Sequence, residues 1–113
     1  MNQPIRSRTS TDGSLTLEVF EEDECYIGFS DQAWHTHGDL LVPEYGMAPL
    51  EAVIAFFESV VNDHGVICIF PQRPSHLQVS VTDDPDTEIT LAAGEPLVLR
   101  LWSGKLVTGT ARA

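Results

Sequence analysis

Basic residues are scarce in this chain. Of its 113 residues only 6 are Lys or Arg, against 17 Asp or Glu, so the formal net charge is −11 at pH 7. A nucleic-acid binder needs a basic footprint on the phosphates, and an anionic membrane surface repels a chain of this charge. The charge therefore argues against nucleic acid and membranes as partners. It favours a basic protein partner, because opposite net charges speed encounter.

Long apolar runs are also missing. The longest apolar stretch, residues 50–61, is interrupted by Glu51 and Glu58. Residues 1–14 contain no apolar segment of the kind that a secretory signal requires. We therefore predict no transmembrane helix and a cytoplasmic protein.

Cysteine is rare as well, with only Cys25 and Cys68 in the chain. Each lies in an apolar, strand-like run, which favours buried free thiols in a reducing compartment. A disulfide between neighbouring strands stays open as an alternative. The spacing between the two cysteines does not fit a zinc site of the C-x-x-C type.

What the chain does contain is enough apolar material for one core. With 42% hydrophobic residues and this length, one domain is expected. Residues 1–13 are polar and predict a flexible N-terminal arm, and residues 14–113 form the single predicted domain. Alternating or continuous apolar segments predict strands at residues 15–19, 25–30, 66–70, 77–81, 88–91, 96–102 and 105–110. The acidic runs 21–24 and 83–86 are predicted to be solvated turns.

Only one segment has a convincing helical pattern. Pro49 fits a first helical turn and Gly65 fits a helix stop. Between Pro49 and Gly65, apolar side chains recur at helical spacing. They predict one buried stripe, formed by Leu50, Val53, Ile54, Phe57 and Val61. We therefore predict an α+β fold with one long helix packed on a twisted, mainly antiparallel sheet of about five to seven strands. Residues 66–70 are predicted to be a central strand, and the late strands a meander.

The densest group of functional side chains lies in a predicted loop between a strand and the predicted helix, and its sequence is Trp34-His35-Thr36-His37-Gly38-Asp39. It holds two of the four histidines and one of the two tryptophans. We expect a binding site that includes Trp34, His35, His37 and Asp39. In an extended backbone His35, His37 and Asp39 project from one side, and three such ligands suffice for a catalytic zinc. The alternative is that one histidine caps the loop by a hydrogen bond and the other is exposed.

No complete catalytic constellation accompanies this segment. Both cysteines lie in predicted strands, and no G-x-S-x-G nucleophile motif is present. The leading interpretation is a non-enzymatic protein-binding domain without a cofactor. A small metal-dependent hydrolase that uses His35, His37 and Asp39 is the alternative. The sequence leaves open a monomer or a homodimer formed through an edge strand.

The same segment resembles a stretch of small acidic bacterial immunity-type proteins of polymorphic toxin systems. In those α+β chains a Trp-His-Thr-His stretch followed by an acid precedes a helix and an antiparallel sheet. The matching positions here are Trp34, His35, Thr36, His37 and Asp39. The resemblance implies a stoichiometric inhibitor, without turnover, that blocks the active site of a basic toxin.

Overall fold

The computed structural model describes residues 3–21 and 24–107. Within these ranges the chain has the predicted mixed α+β class, but the architecture differs from one long helix on one sheet. Three helices accompany two antiparallel sheets of four and three strands. The elements follow the order β1 (Arg6–Thr9), β2 (Thr16–Glu21), β3 (Cys25–Phe29), β4 (His35–His37), α1 (Gly38–Tyr45), α2 (Pro49–Val61), β5 (Val66–Ile69), β6 (Val79–Thr82), α3 (Pro85–Ala92) and β7 (Val98–Arg100).

The N-terminal sheet has the order β1-β2-β3-β4 and is antiparallel throughout. The predicted hairpin of β2 and β3 is confirmed. In β2, Leu17 and Val19 are fully buried and alternate with more exposed residues, as expected for a strand with one face on a core, and Ile27 of β3 is fully buried as well. Residues 22 and 23 of the acidic run between these strands lie outside the described residues.

Strand β1 lies within residues 1–13, for which a flexible N-terminal arm was predicted. Its four side chains are all exposed, so no hydrophobic alternation marks it in the sequence. Main-chain hydrogen bonds hold it instead. They continue beyond the strand, where the Ile5 amide donates to the Val19 carbonyl and the Ser10 amide to the Leu15 carbonyl, both at 2.8 Å.

Two consecutive helices follow the N-terminal sheet. Helix α2 begins at Pro49 as predicted, but the face that it buries is rotated from the predicted stripe. Leu50, Ile54 and Val61 are only partly buried, whereas the buried residues are Ala52, Val53, Phe57 and Val60. Helix α1 was not predicted from the sequence. It contains Pro43 and has no side-chain cap at its start, so the usual helix signals are missing.

Neither α1 nor α2 nor any other single helix in the described ranges has the length and apolar character needed to cross a membrane. Helices α1 and α2 meet that criterion only as a pair, and they are bent by 79° relative to each other.

The second sheet has the order β6-β5-β7. Strand β5 is therefore central, as the continuous apolar run predicted, but the predicted meander is wrong. Strand β7 pairs with the free edge of β5 rather than with β6. Beyond β7, the chain turns back as expected for the predicted last hairpin. Arg100 and Leu106 form an antiparallel bridge, the Leu101 amide donates to the Lys105 carbonyl, and the Val107 amide donates to the Leu99 carbonyl. Residues 108–110 lie outside the described part of the chain.

Helix α3 replaces the strand that was predicted for residues 88–91. The Asp84 side chain accepts a hydrogen bond from the Thr87 amide, and Pro85 occupies the first turn. These are strong helix-start features. They outweigh the β-branched residues Ile89 and Thr90, whose weak strand preference motivated the prediction.

The two sheets share one main core. It contains the inner face of the N-terminal sheet, the buried face of α2, Ile67 of β5 and Trp102. A smaller cluster lies on the other side of the second sheet and contains Cys68, Phe70, Leu97 and Leu99. Helix α2 thus covers the inner face of β2 and β3, and the outer face of that sheet carries the site described next.

Candidate functional site

Within the segment from Trp34 to Asp39, residues 35–37 form β4, the edge strand of the N-terminal sheet. Strand β4 pairs with β3 so that His37 lies opposite Tyr26 and His35 lies opposite Gly28. Directly paired residues share a face of an antiparallel sheet. Both histidines therefore project from the outer face, as their spacing of two predicted.

Strand β2 adds its own outer-face residues to this group. Glu18 lies opposite Gly28, and Phe20 lies opposite Tyr26. The rings of Phe20 and Tyr26 are stacked, with centroids 5.0 Å apart and an interplanar angle of 17°. The Tyr26 ring also contacts the imidazoles of His35 and His37, at centroid distances of 5.9 Å and 6.1 Å. The outer face is thus a continuous row of rings across three strands.

Gly28 leaves a gap beside this row, between Glu18 and His35. A Cβ atom at this position would lie 2.8 Å from the Trp34 carbonyl oxygen and 3.1 Å from the His35 Cβ. Both distances are shorter than ordinary van der Waals contacts. The absence of a side chain lets β4 approach β3 closely and leaves space between Glu18 and His35.

The gap is part of a cavity of about 630 Å³, which we call the acidic pocket. Its lining combines carboxylates, aromatic rings and imidazoles. The lining residues are Glu18, Phe20, Glu24, Tyr26, Gly28, Phe29, Asp31, Gln32, Trp34, His35 and His37. Glu24, Asp31 and His35 are exposed, so the pocket can be reached from solvent.

The lining residues within the described ranges include no lysine or arginine. The two arginines of β1 lie on the opposite face of the sheet. Arg6 pairs with Val19 and Arg8 with Leu17, both of which are core residues. The Arg6 guanidinium is 2.8 Å from the Glu58 carboxylate on α2. Among the described residues, the pocket therefore combines three carboxylates with no lysine or arginine in its lining.

The two imidazoles of β4 contact each other directly. Nε2 of His35 is 3.1 Å from Nε2 of His37. Nδ1 of His35 is 3.0 Å from the Ala33 carbonyl oxygen. Nδ1 of His37 is buried and in ion-pair contact with the Glu24 carboxylate, although this contact lacks regular hydrogen-bond geometry.

The loop before β4 is fixed by polar contacts with the second sheet. The Gln32 side chain accepts from the amides of Gln78 and Val79 and donates to the Ser75 carbonyl. The Ala33 amide donates to the His76 carbonyl at 2.7 Å. The histidine pair therefore lies on an anchored strand rather than on a free loop, in contrast to the predicted loop.

Trp34 is half-buried, and its ring packs between Phe29 and Phe56, with centroid distances of 5.9 Å and 6.3 Å. It forms part of the pocket wall and also packs against the main core. The structure thus brings Trp34, His35 and His37 together at one cavity.

Asp39 lies apart from that group. The backbone turns into α1 at Gly38, so the extended row of His35, His37 and Asp39 is interrupted after its second member. Gly38 is itself required by close packing, since a Cβ there would lie 2.7 Å from the Pro49 carbonyl oxygen. In residues 3–21 and 24–107 no three His, Cys, Asp or Glu side chains form a group that could hold a metal ion.

The cysteines take no part in the site. Both are free thiols in the described structure, with Cys68 buried and Cys25 partly buried. Burial, together with the charge of Glu88, raises the pKa of Cys68 to about 12. Burial and then the carboxylate of Glu21 raise the pKa of Cys25. Neither thiol is a thiolate near neutral pH, so neither is activated as a nucleophile.

Sequence reasoning missed the other residues that line the pocket, which are Glu18, Phe20, Glu24, Tyr26, Gly28, Phe29, Asp31 and Gln32. The strand alternation does place Glu18 and Phe20 opposite the buried residues of β2. It gives no indication that they lie beside His35, because that proximity depends on the pairing of three strands.

No protein-family model, no curated protein and no solved structure matches this chain. The functional argument therefore rests on the geometry and charge of the site.

Proposed function

We propose that this chain is a non-enzymatic protein-binding domain whose acidic pocket receives an arginine side chain of a basic partner protein. The observation that carries this proposal is the lining of the pocket. Three carboxylates, of Glu18, Glu24 and Asp31, surround a cavity that stacked rings also line.

This lining suits a guanidinium group better than other common ligands. A guanidinium binds carboxylates through two parallel hydrogen bonds and also stacks on aromatic faces. The stacked rings of Phe20 and Tyr26 offer such a face beside Glu18 and Glu24. An anionic or purely apolar ligand would leave the carboxylates without a counter-charge, which is unfavourable.

The charge of the whole chain supports the same class of partner. A formal net charge of −11 steers basic proteins towards the surface and speeds association at low salt. Together with the resemblance of residues 34–39 to immunity-type proteins, this favours an inhibitor of a basic toxin. In that role the pocket would bind a basic side chain at or near the toxin's active site, in a stoichiometric complex.

A blocked tetra-arginine peptide tests the pocket itself. In a titration followed by two-dimensional NMR at low salt, we expect the largest shift changes at Tyr26, Gly28 and His35. The affinity should fall as salt is added, since solvent-exposed charges are screened. A tetra-lysine peptide should bind more weakly, because ammonium groups neither stack nor form bidentate pairs.

Matched variants distinguish binding in the acidic pocket from general attraction by the net charge of the chain. Glu18→Gln and Asp31→Asn should each weaken tetra-arginine binding several-fold. Glu51→Gln, at an exposed position of α2, removes the same charge elsewhere and should have little effect. An equal loss of affinity in all three variants would refute an arginine-binding pocket. Chemical-shift changes that lie away from the outer face of the sheet would refute it as well.

The inhibitor role needs its own experiment. Mixing the chain with the catalytic domains of basic toxins should give a salt-sensitive 1:1 complex in native mass spectrometry, with loss of toxin activity. If no such complex forms with any of them, the immunity-type role is wrong, whereas the peptide titration still decides about the pocket.

A further inference from the structure

A second cavity lies between the two sheets, and we call it the edge cleft. Its volume is about 360 Å³, and residues 34–36 at β4 and residues 81–83 at β6 form two of its walls. Both strands are edge strands of their sheets within the described part of the chain. Trp34 and His35 line the edge cleft as well as the acidic pocket, so the two cavities are neighbours.

The free side of β4 carries main-chain groups that no strand among the described residues pairs with. The Ser30 amide donates to the Thr16 carbonyl, from the end of β3 to β2. Successive residues of a strand direct their main-chain groups to opposite sides, so Ile27, three positions before Ser30, bonds to Thr36 of β4. His35, next to Thr36, therefore directs its amide and carbonyl away from β3, to the side where the edge cleft lies.

The free side of β6 has the same character. The Val79 amide donates to the side chain of Gln32, in the loop before β4, and so points away from β5. This agrees with the ladder to β5, because the Phe70 amide donates to the carbonyl of Gln78, the residue before Val79. Val81, two positions after Val79, therefore also directs its amide and carbonyl away from β5.

The two free edges begin at one junction and run in the same direction. At the junction the Ala33 amide donates to the His76 carbonyl at 2.7 Å. From there the chain runs forward along both walls, through residues 34–36 and 81–83. Every strand pair of the two sheets is antiparallel. A single strand of opposite direction between β4 and β6 would therefore continue the antiparallel order of both sheets.

The side chains of the edge cleft combine aromatic rings with carboxylates. The rings of Trp34 and Phe56 line it, with centroids 6.3 Å apart, and so do the exposed carboxylates of Glu44 and Asp83. Its lining among the described residues contains no lysine or arginine. An extended segment directs alternate side chains to opposite faces. Apolar side chains of such a segment can pack on the rings, while basic ones meet the carboxylates.

We infer that the edge cleft binds an extended segment of a basic partner protein, inserted as a strand between β4 and β6. Main-chain hydrogen bonds to both edges provide the affinity, and the alternating side chains provide the selectivity. A second copy of this chain is an unfavourable occupant, because each copy has a formal net charge of −11. The inference rests on the proposed binding of a basic protein, but it requires no arginine in the acidic pocket.

A blocked seven-residue peptide in which valine and lysine alternate tests the edge cleft, and it contains no arginine. Hydrogen exchange followed by NMR at low salt is the readout. The amides of His35 and Val81 should exchange fast in the free chain and about tenfold or more slowly in the complex. Thr36 and Ser80 are matched controls, since their amides face β3 and β5 and should exchange slowly in both states. Unchanged exchange at His35 and Val81 would overturn the inference.

Two N-methylated versions of the peptide distinguish insertion between two edges from addition to one edge. Methyl groups on the valine amides block one edge of the peptide, and methyl groups on the lysine amides block the other. Each version should bind about tenfold more weakly or worse, because hydrogen bonds to one wall are lost. If either version bound as tightly as the parent peptide, insertion between β4 and β6 would be wrong.

Matched charge variants locate the peptide. Glu44→Gln, at the edge cleft, should weaken binding several-fold, whereas Glu51→Gln, at an exposed position of α2 outside the lining, should have little effect. Equal effects of the two variants would contradict binding in the cleft. A dimeric mass of the free chain, with the amides of His35 and Val81 already protected, would identify a second copy as the occupant and overturn the inference.

The two proposals fail in different ways. If tetra-arginine binds in the acidic pocket but the valine–lysine peptide does not bind, strand insertion is wrong and the proposed function stands. If the valine–lysine peptide protects His35 and Val81 while tetra-arginine leaves the acidic pocket unchanged, strand insertion stands and the arginine-binding pocket is wrong.

Discussion

At the scale of single residues, Gly28 decides whether the outer face contains a pocket. It is buried in the middle of the sheet, between Glu18 on β2 and His35 on β4. Any larger side chain here would push against the backbone of Trp34. The sequence shows only a glycine within a strand, which is consistent with close approach of another backbone but identifies no neighbour.

We predict that Gly28→Ala destabilises the fold by about 1–3 kcal/mol, the typical cost of overpacking. The new Cβ would lie 2.8 Å from the Trp34 carbonyl oxygen, so β4 has to move away from β3. Chemical denaturation measures the free energy of unfolding. Gly65→Ala is the comparison, because the nearest atom to its Cβ would be a side-chain methyl of Val60, at 3.3 Å, rather than a backbone oxygen. If Gly28→Ala lowered the free energy of unfolding by no more than Gly65→Ala does, the close approach of β4 to β3 would be contradicted.

At the scale of elements, α3 shows how a short helix can form without a buried face. It has no buried residue, and its sequence does not have a clear helical pattern. Its start is set by Asp84, whose side chain accepts from both the amide and the hydroxyl of Thr87. These hydrogen bonds from Thr87 also lower the pKa of Asp84. The Asp84 cap thus supplies an acceptor to the first turn of a helix in which no residue is fully buried.

We predict that Asp84→Ala makes α3 exchange its amide hydrogens several-fold faster, because a first-turn amide loses its acceptor. Hydrogen exchange followed by NMR should locate the change in residues 87–92. Asp83→Ala removes the same charge one position earlier, and no effect of comparable size is expected. If both variants gave the same change, charge rather than capping would control the helix.

At the scale of the whole molecule, Arg100 connects the turn after β1 with the segment that follows β7. It is buried, with 8% exposure. Its guanidinium donates to Asp12 at 2.9 Å and to the carbonyls of Leu101 and Trp102. Hydrogen bonds from Ser10, then from Ser14, and the Arg100 guanidinium hold the pKa of Asp12 well below its usual range. The polar contacts of Asp12 thus join the turn after β1 to the segment after β7.

We predict that Asp12→Asn lowers the melting temperature most at neutral pH. A carboxylate whose pKa is depressed in the folded state stabilises that state above its ordinary pKa of 3.8 and loses this contribution as the pH falls. The difference in melting temperature between the variant and the wild type should therefore become smaller below pH 3.8. Thermal unfolding followed by circular dichroism between neutral pH and about pH 2 measures it.

Glu44→Gln is a suitable control for that experiment, because Glu44 is an exposed residue of α1 and is remote in sequence from Arg100. Its melting temperature should follow that of the wild type across the range. If the difference in melting temperature between Asp12→Asn and wild type were the same at all pH values, the charge of Asp12 would not contribute to its contact with Arg100.

Local chemistry in the sequence determined much of this protein. The alternation of Leu17 and Val19 specified a half-buried strand, and Pro49 specified where the main helix begins. The spacing of two between His35 and His37 placed them on one side of an extended segment. Each of these follows from contacts or covalent geometry within a few positions of the chain.

Only the tertiary structure decided which residues meet. Strand β1 depends on main-chain hydrogen bonds that leave no hydrophobic pattern, and the order β6-β5-β7 depends on which edge of β5 was free. The acidic pocket unites Glu18, Glu24 and Asp31 with the histidine pair through the register of three strands. Asp39 leaves that group because the chain turns into α1 at Gly38. Local periodicity gives the face on which a side chain lies, whereas its neighbours on that face are set by strand pairing between distant segments.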